Sequence, residues 1–396
     1  MKNNLYKYLA IAVFALASCS KDATVTGDYA TDFSESSVAP GSVPGGGNGD
    51  STGHQSQPGV ITAGEWNDLD NWTFWNNLLQ KDDFTKIPAH WGFPTYARVS
   101  VNIKGADNKP QPDIPVMLIE NGQKLFSAKT DNHGNAELYA NLTGNTNSTT
   151  SDGLQLSVNN GAKIISGVKK YEEGINNVIL PSATTNKNNI DISFVIDATG
   201  SMGDELEYLK TELYDVISRA KKANPVYSLS TSCVVYRDEG DEYLTRVSPF
   251  TTNIALTTDF IKAQRADGGG DFPEAVHSGL DKAINNLNWP LNARARIIFL
   301  ILDAPPHDNS SVIQQMQTLI MTASEKGIKI IPVTASGIDK DTEFLMRLIA
   351  VSTNGTYVFI TNDSGIGNEH LEPTVGQYTV EFLNNLMVRL INKYAE

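Results

Sequence analysis

Ile190-Asp191-Ile192-Ser193-Phe194-Val195-Ile196-Asp197-Ala198-Thr199-Gly200-Ser201-Met202-Gly203 is the stretch that decides the fold. Residues 190–196 have the length and branched composition of a buried strand. The run ends on Asp197, turns through Ala198, Thr199 and Gly200, and enters a segment with Leu206, Leu209, Leu213, Val216, Ile217 and Ala220 at helical spacing. In open α/β folds, ligands bind where such a strand turns into its helix. Asp197, Thr199 and Ser201 alternate, so their oxygens can converge above the strand end. An oxygen-only set of this kind suits a hard divalent cation, Mg2+ or Ca2+.

Downstream, residues 229–236 read as a second buried strand, in which Cys233 is a small core residue. The acidic link 238–242 is too short for a crossover helix, so a third strand at 245–252 should pair antiparallel. Gly268-Gly269-Gly270-Asp271-Phe272-Pro273-Glu274 then precedes a helical stripe over 275–287. Residues 297–302, the most apolar run, end on Asp303. Adjacent parallel strands would bring Asp197 and Asp303 to one crevice. Ala304-Pro305-Pro306-His307 cannot begin a helix at once, which opens the backbone there. Residues 311–326 and 341–350 read as helices, 328–333 and 357–360 as strands, and 380–391 as a closing helix.

Asp197-Ala198-Thr199-Gly200-Ser201 resembles the Asp-x-Ser-x-Ser signature of the von Willebrand factor type A domain, with threonine for the first serine. The order of strands and helices over residues 187–396 is similar to that family's. The resemblance implies an α/β, doubly wound, mostly parallel sheet with one antiparallel edge strand. It also implies a metal-ion-dependent adhesion site, in which Asp303 corresponds to the last metal-site aspartate. A protein partner would complete the cation's shell with an acidic residue. The family usually supplies a threonine from the glycine-rich loop, and this loop has none. Asp271 is the nearest oxygen donor there and Glu274 the second. The expected metal set is therefore Asp197, Thr199, Ser201, Asp271 and Asp303, whose carboxylates repel one another until a cation binds. The alternatives are that Asp197, Thr199 and Ser201 cap the helix, and that Asp303 is a turn residue. His277 and His307 are read as neighbours of the site.

Residues 1–19 read as a targeting segment: lysines, a short apolar stretch, then Leu16-Ala17-Ser18-Cys19. This resembles a bacterial lipoprotein signal, which implies lipidation at Cys19; a plain secretory signal is the alternative. Ser20-Lys21-Asp22 resembles part of the surface-export signal of Bacteroidota lipoproteins, so an outer membrane lipoprotein is expected, its facing side left open. Residues 20–58 are a Gly/Ser/Pro-rich tether. Residues 59–94 carry Trp66, Trp72, Trp75 and Trp91 among acidic residues. A carbohydrate platform is one reading, and packing against the following domain is the preferred one. Residues 95–183 alternate as strands around Thr130-Asp131-Asn132-His133-Gly134-Asn135-Ala136 and resemble a carboxypeptidase regulatory-like, immunoglobulin-type sandwich.

A net charge of -14 with no long basic run argues against nucleic acid or an anionic membrane surface as partner, leaving the lipid as the only membrane contact. Two cysteines cannot supply a disulfide framework. The turn after Asp197 has no P-loop lysine, and Thr199 stands where a haloacid dehalogenase-like phosphohydrolase needs its second aspartate. Neither a Gly-x-Ser-x-Gly elbow nor a His-Glu-x-x-His helix occurs. The chain is thus read as a binding or adhesion protein with no catalytic residues. The alternatives are a scaffold subunit stabilised by its metal and, behind it, a metal-dependent phosphohydrolase.

Overall fold

Residues 57–93, 95, 97–142, 153–181 and 187–396 are described by a computed structural model. The expected signal at 1–19, the lipid on Cys19 and nearly all of the 20–58 tether lie outside the described residues.

In chain order, β1 (Thr62–Trp66) leads into α1 (Trp72–Leu78) and α2 (Asp82–Trp91). An all-β region follows: β2 (Arg98–Gly105), β3 (Pro115–Glu120), β4 (Gln123–Lys129), β5 (Asn135–Tyr139), β6 (Leu154–Val158), β7 (Lys163–Ser166) and β8 (Asn176–Leu180). These form one sheet ordered β5-β2-β8 and another ordered β4-β3-β6-β7. Their buried alternate residues face each other, with the Phe126 and Tyr139 rings 5.6 Å apart. His133 is exposed in its turn, as its polar surroundings suggest.

The α/β part contains β9 (Asn189–Asp197), α3 (Gly203–Ala223), β10 (Ser228–Tyr236), β11 (Thr245–Thr251) and α4 (Ile254–Lys262). It continues with α5 (Val276–Asp281), which widens into a π-turn, then β12 (Ala295–Leu302), α6 (Ser310–Lys326) and β13 (Ile328–Thr334). It ends with α7 (Lys340–Ser352), β14 (Tyr357–Ile360), β15 (Glu381–Phe382) and α8 (Leu383–Ala395). Its eight-stranded sheet is ordered β11-β10-β9-β12-β13-β14-β1-β15. The five strands from β10 to β14 in that order are parallel, and β11 is the expected antiparallel edge. Alternate residues of the central strands go to opposite faces. Phe194 and Ile196 pack with Leu206, Leu213 and Leu386 on one face. Val195, Ile298 and Leu300 pack with Leu280, Met316 and Phe344 on the other.

The segment expected to pack on the β-region also contributes a strand to the α/β sheet. Strand β1 lies between β14 and β15, antiparallel to both. Trp75 stacks on Phe344 of α7 at 5.0 Å, and Phe84 leans on the same ring. Trp72 lies edge-on to Tyr171 of the β-region at 5.9 Å, and the Trp75 indole donates to the Thr95 hydroxyl at 2.8 Å. The cause is the open edge of β14, whose unpaired backbone groups are satisfied by β1. A unit cut at residue 187 therefore lacks a strand of its own sheet. The β-region is fixed to the α/β part by the Tyr139 hydroxyl, which donates to the Val351 carbonyl at 2.9 Å, and by Arg296, which donates to Asp113 at 2.7 Å.

Candidate metal site

Register places the two strand-end carboxylates together. Ile301 pairs with Ile196, so Asp303 stands one residue beyond the level of Asp197 on the adjacent parallel strand. Asp197 Oδ1 accepts the Thr199 N–H at 2.9 Å and the Thr199 hydroxyl at 2.7 Å. The Ser201 and Thr199 hydroxyl oxygens are 3.3 Å apart. No side-chain capping bond is made at Thr199 or at Met202, where α3 begins, so these hydroxyls are not held as helix caps.

The glycine-rich loop is laced to this turn. Gly200 N–H donates to the Gly268 carbonyl at 3.0 Å, and Asp267 N–H to the Ala198 carbonyl at 3.1 Å. Gly269 has φ +73°, and a Cβ there would come 2.6 Å from Glu274 Oε1 and 3.2 Å from Thr199 Cβ. Only glycine permits both that backbone and that approach.

Beyond the loop, the Glu274 N–H donates to the Pro305 carbonyl at 2.9 Å, and Glu274 bridges to Pro306. The Glu274 side chain is buried, and of the neighbouring charges that of Asp197 acts most on its carboxylate. Asp271, the expected fifth ligand, is exposed. Glu274, the second donor of the same loop, is the one that the structure buries. The physical reason is the bond to Pro305, which fixes Glu274 three residues after the glycines have carried Asp271 out to solvent.

The site is strained electrostatically. Burial pushes Asp197 up to about 6, against the lowering effect of its Thr199 hydrogen bonds. Burial, then the Asp197 charge, takes Asp303 up to about 7. Glu274, shielded from solvent yet near the surface, rises to about 9 through burial and the charges of Asp197 and Asp238. Asp197 Oδ2, Asp303 Oδ1 and Glu274 Oε2 are buried without a hydrogen-bond partner. Unpartnered buried carboxylate oxygens, with two hydroxyls alongside, are a donor set that a hard divalent cation fits. Among the described residues no group of three or more His, Cys, Asp or Glu could by itself hold a metal.

Sequence reading missed the surrounding shell. Asp238 is buried just past β10 and lies 2.6 Å from His307 Nε2, which makes His307 a supporting neighbour. His277 is buried, its ring 6.3 Å from that of His307, and burial pulls its pKa down. Glu205 of α3 is also buried; it accepts from the Ser336 hydroxyl and N–H, and its charge raises Asp303. The signal available for Asp238 was its place two residues after Tyr236, which pairs with Asp197.

The fold of the α/β part resembles that of a von Willebrand factor A domain. Residues 191–366 match the family model of that domain. An ariadne-like RING finger protein of Acanthamoeba polyphaga mimivirus is 34% identical over 122 residues, covering 31% of this chain and 12% of that protein. The alpha-protein kinase vwkA of Dictyostelium discoideum is 30% identical over 120 residues, covering 30% of this chain and 19% of that protein. The chain thus spans under a fifth of the length of either relative. Among solved structures, the conserved hypothetical protein BatB from Bacteroides thetaiotaomicron aligns with a TM-score of 0.35 at 14% identity, over 52% of this chain and 98% of that one.

Proposed function

We propose that the α/β unit captures a protein partner through a divalent cation held by Asp197, Thr199, Ser201 and Asp303, with Glu274 as the loop's contribution. The observation that carries this reading is the set of buried, unpartnered oxygens on Asp197, Asp303 and Glu274 at the carboxyl ends of β9 and β12. A bound Mg2+ or Ca2+ supplies an electrophilic position for a partner's carboxylate. The chain's own residues do the rest. The Thr199 bonds orient Asp197, the Gly268–Gly269 backbone closes the loop side, and the Pro305 bond sets Glu274. Function is binding rather than catalysis, and the chain is held at the outer membrane by lipid on Cys19.

The test is retention of proteins on the immobilised chain in Mg2+ or Ca2+ and in chelator. Capture should disappear with chelator and in Asp197→Ala. Retention that survives both overturns metal-dependent capture and leaves a scaffold whose metal is merely structural. Fractionation of Cys19→Ala cells tests the anchor: release from the membrane is expected, and unchanged partitioning overturns it.

A further inference from the structure

Beside the metal site lies a groove of about 340 Å3 lined by α2, the start of α7 and the two loops that carry the site carboxylates. Its floor is apolar: Ile87 and Trp91 of α2 and Leu345 of α7 are buried there, while Phe272 is 44% exposed at its lip. One wall is the paired backbone of Pro273-Glu274 and Pro305-Pro306, whose far side presents Glu274 and follows Asp303. Groove and metal site are thus two sides of one thin wall. The rim carries three exposed carboxylates, Asp308, Asp339 and Asp341, against Lys86 and His90, and His90 is already 2.7 Å from Asp308. Helix α2, one side of the groove, lies outside the residues that match the domain family.

We propose that this groove reads the partner's sequence: it accepts an extended segment with a large apolar side chain on the Trp91–Leu345 floor and a lysine or arginine against Asp339 and Asp341. The inference rests on the metal-site reading for the third contact, an acidic residue of the same segment at the cation. An apolar floor with a net negative rim favours an apolar residue flanked by a cation and disfavours an all-acidic peptide. A carboxylate alone gives a metal site little selectivity among partners; the groove supplies it.

The probe is a displayed library of random twelve-residue peptides, selected on the full chain in Mg2+ with counter-selection on Phe272→Ala/Asp341→Lys. Both positions are exposed, and a cooperative melt close to that of wild type reports that the double variant is folded. Retained peptides should combine an acidic, a large apolar and a basic residue, and should bind the double variant about tenfold or more weakly. Lys86→Glu should strengthen them several-fold, a gain that misfolding cannot produce. Metal-dependent peptides without apolar and basic enrichment, equal binding to wild type and both variants, or no peptide that separates wild type from the double variant overturns the groove and leaves the metal reading standing. Binding that needs Phe272 and Asp341 but ignores chelator supports the groove and overturns the metal reading.

Discussion

Arg347→Met tests whether the amino-terminal segment is structurally part of the α/β unit. Arg347 is fully buried on α7, and its Nε and Nη2 donate to the two oxygens of Asp68 at 2.8 and 2.6 Å. Its Nη1 also donates to Glu343 at 3.2 Å and to the Thr374 carbonyl at 2.7 Å. Methionine replaces much of the aliphatic volume but none of the donors. Glu343 would keep the Thr374 N–H at 2.7 Å and Lys340 at 2.9 Å, whereas Asp68 would keep only the Trp66 indole at 2.9 Å. The loss therefore falls on Asp68, a carboxylate left buried without its cation, which costs about 3–5 kcal/mol. That is a large part of a total stability of about 5–15 kcal/mol. Calorimetric melting of the full chain should fall by roughly 6 °C or more, at about 2 °C or more per kcal/mol. Asp68→Leu combined with Arg347→Met should be less destabilised than Arg347→Met alone, because no charge is stranded. A loss under about 1 kcal/mol, far below that expected for breaking a buried pair, or a double variant no better than the single, refutes the reasoning.

Two further outcomes follow from the electrostatics. Asp191, buried in β9 and accepting from the Ser230 hydroxyl at 2.5 Å, is pushed by burial from 3.8 up to about 6. A raised carboxylate costs nothing below its unfolded value and its full penalty above its folded one, so stability falls as pH rises from about 4 to 6. Asp191→Asn should therefore gain on the order of 2 kcal/mol near neutral pH and little near pH 4, measured by urea unfolding; no gain at neutral pH contradicts the shift. At the metal site, Glu274→Gln should weaken Mg2+ or Ca2+ binding several-fold in a calorimetric titration while Asp271→Asn leaves it unchanged. The opposite ranking would restore Asp271 as the ligand.

Much of the α/β core was legible because its signals are local. The apolar runs ending on Asp197 and Asp303 and the short link after Tyr236 each fix a strand and its sense within a few residues, and the register then unites the carboxylates. What the sequence hid was long-range. Strand β1 pairs with β14 across nearly the whole chain, as Trp66 opposite Tyr357 shows, and no periodicity in residues 59–66 announces that partner. The four tryptophans were read as packing residues without the surface they pack on, which Trp75 on Phe344 supplies. In the glycine-rich loop, composition named both acidic candidates but not the direction either faces. That direction is set by one backbone bond, Glu274 to Pro305, between segments about thirty residues apart.

The central claim, a divalent cation on Asp197, Thr199, Ser201 and Asp303, is tested most directly by melting the full chain against Mg2+ and Ca2+. Wild type should gain about 2.7 kcal/mol when free metal is about 100 times its dissociation constant. Asp197→Ala should lose that gain, as should Ser201→Ala, whose exposed position spares the core. No metal-induced gain in wild type, or an equal gain in both variants, contradicts the account.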